Sequence, residues 1–175
     1  MKTLVIGVGN PIRGDDGVGL VVAEMVSQRL HGVADFLPFS GSGLDLLSYL
    51  KGYNTVVLID SIVSEQVSVG TCCELELPPG SPIGDAILSS HNTSILDSFE
   101  IGRQLGITVP AKVRIFGIGI EKAESFRSEL SDRIRENIPT IVDEITEDLE
   151  AADAKEADVG CEPFSITEVV FESEG

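Results

Sequence analysis

The sequence predicts an α/β layered domain, a mostly parallel sheet with helices on both faces. Three observations predict it. The stretches Thr3–Val8 (TLVIGV), Asn54–Ile59 (NTVVLI) and Val113–Ile120 (VRIFGIGI) are dominated by apolar residues without alternation, as in strands buried on both faces. Between them lie segments whose apolar residues recur at helical spacing, and strands alternating with helices make a layered sheet. A chain of 175 residues, 42% of them hydrophobic, is also long enough for one sizeable core.

The elements follow in order. After the first strand, Val18, Val21, Val22, Met25, Val26 and Leu30 mark one face of a helix over 17–30, which His31-Gly32 closes. Residues 33–39 form a weaker strand. Ser42, with Asp45 three residues on, resembles a capping box that opens a short helix to Leu50. The strand NTVVLI then ends on Asp60. Residues 71–77 (TCCELEL) alternate, as an edge strand does. A polar loop leads to a helix over 94–105, stopped by Gly106. After VRIFGIGI comes a long helix over 125–150, interrupted near Pro139. From Asp143 onward there are 12 acidic residues against a single Lys155, so 151–162 reads as a solvated linker within an acidic, flexible tail, 151–175. The domain proper is therefore 1–150. The apolar residues Phe164, Ile166, Val169, Val170 and Phe171 could still dock on the edge strand.

Charge and cysteines exclude several classes. A net charge of −17 repels nucleic acid and anionic membranes alike and leaves room for a basic partner. No run approaches the roughly 18 apolar residues that span a bilayer. The N-terminal apolar run is shorter than a signal-peptide core of about 7–15 residues, so a cytoplasmic protein is expected. Three cysteines, two of them adjacent at Cys72-Cys73, make neither a disulfide framework nor a CxxC clip.

The chemistry lies where the strands end. In parallel sheets, ligands gather at the carboxyl ends of the strands. There the sequence carries GVGNPIRGDDGVG, residues 7–19. A dinucleotide fingerprint needs a third glycine where this chain has Ile12, and Asp15 and Asp16 stand where a pyrophosphate would seek free N–H groups. The loop therefore argues against a nucleotide. The simple reading has Asp15 capping the following helix and Asp16 adding charge to its first turn. For Asp16 that reading competes with metal ligation. Asp60 at a strand end and His91 in the loop SSHNT are individually weak signals, but the topology puts them on the same rim. Together they form an O₂N donor set suited to a borderline divalent ion with open positions.

The segments GNPIRGDDGVG, VVLIDSIVS and SSHNTSILD, in this order and spacing, resemble the hydrogenase maturation endopeptidases, from Met1 to about Glu150. The resemblance implies a three-layer α/β/α sandwich around a twisted five-stranded sheet. It also implies an aspartic-type endopeptidase that trims the C-terminal extension from the large-subunit precursor of a NiFe hydrogenase once nickel is inserted. Nickel, carried by the substrate, is then the recognition signal, with other divalent ions able to occupy the site in vitro. By the same resemblance, Asp16, Asp60 and His91 are both the nickel ligands and the catalytic candidates. Neither a bound cofactor nor nucleic acid or membrane is implied, and a monomer is expected. One departure is Pro38 in LPFSGSG, where the family carries an Asp-Gly-Gly turn. Glu121 stands at a similar strand end and is equally read as solvent-facing. No nucleophile with its own base is visible, the histidines are only His31 and His91, and HExxH is absent. Cys72-Cys73 read as packing residues. Attack by a water, oriented by Asp16 or Asp60 or polarised by nickel, is therefore the expected chemistry. Two other classes use the same residues: a non-catalytic, nickel-checking chaperone of hydrogenase assembly and a nucleotide-binding regulator.

Overall fold

The computed structural model describes residues 2–30, 32–41, 43–75, 93–122 and 128–158. Five strands, β1 (Thr3–Val8), β2 (Ala34–Phe39), β3 (Thr55–Ile62), β4 (Cys72–Glu74) and β5 (Lys112–Gly119), form one sheet in the order β2-β1-β3-β5-β4. All pairings are parallel except β4, which runs antiparallel to β5. The helices are α1 (Val18–Arg29), α2 (Gly43–Leu46, continued as a 3₁₀ turn over Leu47–Tyr49), α3 (Thr93–Gln104) and α4 (Asp132–Asp158).

The period of two in a strand separates two cores. Val5, Val57, Ile59, Phe116 and Ile118 face α1 and α4. Leu4, Ile6, Val8, Val56, Leu58 and Ile115 face α2 and α3. These are the three layers that the sequence predicts. The alternating stretch at 71–77 is indeed an edge strand over its described part. The other edge, β2, tolerates Pro38, which is exposed and lies opposite Gly7, because an edge position can forgo its ladder N–H.

Two expectations about the C-terminal part are corrected. The last helix starts at Asp132, not near 125. It also runs through Pro139 and on to Asp158, so the first residues of the expected linker are helical. Ile134, Ile138, Ile141, Val142, Ile145 and Leu149 keep one buried stripe across the proline. Pro139 itself is exposed, where the helix can absorb the lost hydrogen bond toward solvent. The apolar residues between Phe164 and Phe171 lie outside the described residues. So does Ser42, the first residue of the expected capping box.

Arg114 fastens the edge strand and α4 to the sheet. Its side chain is 10% exposed; Nε and Nη2 donate to Glu74 Oε1 and Oε2 at 2.6 and 2.7 Å, and Nη2 also donates to Asp148 of α4. These carboxylates outweigh the cost of burial and hold the guanidinium proton more firmly than usual. Charge-assisted bidentate pairs are the stronger kind of hydrogen bond. Arg114→Met is expected to cost about 1–3 kcal/mol, because Glu74 and Asp148 stay partly hydrated when left behind. Thermal melting should show a fall of roughly 2–12 °C.

Candidate functional site at the sheet switch point

From β1 the chain moves outward to β2 and then returns to the other side of β1 as β3. Such a reversal opens a crevice outside the carboxyl ends of the two central strands. The loop after β1 and the end of β3 border it. The β1–β3 register stops at Gly7↔Ile59, whereas β3 continues against β5 through Asp60↔Gly117, Ser61↔Ile118 and Ile62↔Gly119. Asp60 is therefore not the end of its strand, as the sequence suggests. It is the first β3 residue beyond the last β1 partner.

The glycine loop is closed on itself. The Asn10 N–H donates to Asp16 O at 3.3 Å, Arg13 N–H to Asn10 O at 3.0 Å, and Asp16 N–H to Arg13 O at 3.4 Å. The Ile12 N–H donates to Asn10 Oδ1 at 3.2 Å. Four of the loop's amides are thus already engaged, which argues further against a phosphate cradle here. Gly9, at φ 152°, allows this closure, since a Cβ there would stand 2.2 Å from Asp16 O. Residues Gly14–Gly17 then form a 3₁₀ turn that leads into α1.

The two aspartates of that turn have different tasks. Asp15 does not cap α1. Its Oδ1 accepts the Ser131 N–H at 2.6 Å and so ties the turn to the residue preceding α4. Asp16 is 8% exposed, and its Oδ1 accepts the Ser61 hydroxyl at 3.0 Å. Its Oδ2 is buried without a hydrogen-bond partner among the described residues. Asp60 is fully buried, and its Oδ1 accepts the Ser61 N–H at 2.7 Å. Asp16 and Asp60 thus come from different elements and converge on one residue. Ser61 is the participant that sequence reading missed, although a hydroxyl beside an acid inside the run VVLIDSIV was its signal.

His91 lies outside the described residues, two positions before α3 begins. Among the described residues, no cluster of three or more His, Cys, Asp or Glu side chains could hold a metal. Asp16 Oδ2 alone could still serve a divalent ion, since a buried carboxylate oxygen without a partner is costly unless something arrives to use it. Burial pushes the Cys72 thiol up to about 12 and raises that of Cys73, so neither is a ready thiolate. Glu121 is exposed to solvent. No helix is long and apolar enough to cross a membrane among the described residues.

No protein-family model matches the chain. A hydrogenase 2 maturation protease of Escherichia coli (strain K12) is 27% identical over 126 residues, which span 71% of this chain and 76% of that protein. The solved structure of the hydrogenase maturating endopeptidase HybD from E. coli superposes with a TM-score of 0.71 at 23% identity, over 87% of this chain and 94% of that one. The NiFe hydrogenase maturation protease HybD from Thermococcus kodakarensis gives 0.66 at 22%, over 85% and 99%. The last two likenesses establish the shared fold.

Proposed function

Because this chain belongs to the hydrogenase maturation protease family and is a peptidase, we propose that it removes the C-terminal extension of a NiFe hydrogenase large-subunit precursor after nickel insertion. The observation that carries this reading is the pair Asp16 and Asp60, held on Ser61 at the switch point with Asp16 Oδ2 unused among the described residues. Two carboxylates with His91 would be an incomplete ligand set. It lacks the thiolates that close a structural site, and substrate cysteines that already hold nickel would supply the rest. Nickel is then part of the substrate, and the scissile peptide docks beside it along the rim.

Hydrolysis needs a water near the peptide carbonyl and an acceptor for its proton. The Asp16–Asp60 pair supplies carboxylate acceptors at the rim, and substrate nickel polarises what it touches. Water adds to the carbonyl carbon, the C–N bond breaks, and the leaving amine takes up the proton. The reaction would take place in the cytoplasm.

The test is to incubate the protein with nickel-loaded precursor and weigh the product. Loss of the mass of a C-terminal extension is expected. His91→Ala should abolish that loss, with the melting temperature measured alongside to separate lost chemistry from lost folding. A precursor of unchanged mass would indicate a nickel-checking chaperone instead.

A further inference from the structure

Ser61 is fully buried in β3 and gives both of its donors to the rim: the N–H to Asp60 Oδ1 and the hydroxyl to Asp16 Oδ1. Strand alternation explains why one residue can do this. Ser61 follows Ile59 on the face toward α1, where the turn carrying Asp16 lies, while Asp60 follows Leu58 on the opposite face. Past Ile59, β3 has no β1 partner. At that open edge one residue binds the carboxylate of the turn through its hydroxyl and that of its own strand through its amide.

On the nickel-dependent reading above, we propose that Ser61 is a positioning residue. It occupies one oxygen of Asp16 and thereby leaves Oδ2 as the ligand oxygen, while its amide holds Asp60 in the orientation that joins Asp16 on the metal. Groups behind metal ligands act in this way, by fixing the orientation of the ligand. The Ser61–Asp16 hydrogen bond also has the form of a nucleophile beside a base. A hydroxyl with no exposed surface cannot meet a peptide carbonyl, however, so its role is to orient.

The probe is Co²⁺ alone, titrated into wild type, Ser61→Ala and Ser61→Thr and followed by calorimetry and visible absorption. Melting temperatures and KM and kcat on nickel-loaded precursor are measured alongside. Ser61→Ala should weaken Co²⁺ binding by about tenfold or more, and Ser61→Thr should return to within about threefold of wild type. KM should rise in the alanine variant and the melting temperature should fall by a few degrees as Asp16 Oδ1 loses its partner, with both restored in Ser61→Thr. Wild-type Co²⁺ affinity in Ser61→Ala would overturn the proposal. So would normal Co²⁺ binding with no cleavage at saturating precursor, which would make the hydroxyl a participant in chemistry. A wild-type protein that binds no Co²⁺ even at millimolar concentration would overturn it as well. If wild type binds Co²⁺ but cuts no precursor, the peptidase reading fails, while the alanine-to-threonine contrast still decides the role of Ser61.

Discussion

Asp60→Asn and Asp16→Asn should each bring binding of nickel-loaded precursor down to the level of the nickel-free form. The expected loss is about tenfold or more, or about 1.4 kcal/mol. The substitution keeps the shape of the side chain and removes ligand charge. On the proposed reading, nickel held by substrate cysteines and the peptide attached to it would bind as two linked contacts, so losing the metal contact would weaken the whole encounter. Stability should behave differently. Asp16 Oδ2 has no hydrogen bond among the described residues, so a neutral amide there gives up no existing partner of that oxygen, and the oxygen of each asparagine can still accept from Ser61. Sites kept for function are often traded against stability. Melting temperatures of the asparagine variants should stay within about 4 °C of wild type. Calorimetric titration with both precursor forms, paired with a thermal melt, checks both parts.

The largest loss of stability is expected from Gly19→Ala. Gly19 opens α1 where that helix presses on the tips of β1 and β3. A Cβ there would stand 2.3 Å from Val8 O, 2.5 Å from Ile59 O and 3.0 Å from the Asp60 Cα. All three are backbone atoms, so no side chain can turn aside, and α1 must move off the sheet. Overpacking of this kind costs about 3 kcal/mol or more. The melting temperature should fall by roughly 6–12 °C. Cleavage should fall with it even below the melting temperature, because the helix that moves carries the Asp16 turn at its start and lies against Asp60.

Much of the fold was legible because it rests on patterns of apolar residues. The continuous runs at 3–8 and 113–120 became central strands, the repeat from Val18 to Arg29 became α1, and Cys72–Glu74 of the alternating stretch lay at an edge. The failures came where neighbours decide the outcome. Asp60 and Ser61 break an apolar run and so read as a strand end, yet β5 supplies ladder partners through Ile62. The acidic residues after Glu150 read as a linker, but helix propagation from a well-buried stripe carries them to Asp158. Asp15 looked like a local cap, whereas its partner is Ser131, 116 residues away, which no local pattern announces. For the site, chemistry and topology together pointed to Asp16 and Asp60. The link through Ser61 depends on the β1–β3 pairing stopping at Ile59, one residue before Asp60, a matter of register that composition does not carry.

The most direct measurement is a cleavage time course of the wild-type protein on two forms of one large-subunit precursor, nickel-free and nickel-loaded, followed by mass. If Asp16, Asp60 and His91 read metal held by the substrate, the loaded form loses its C-terminal extension and the nickel-free form stays intact over the same period. Equal cleavage of both forms would mean that the rim does not read nickel.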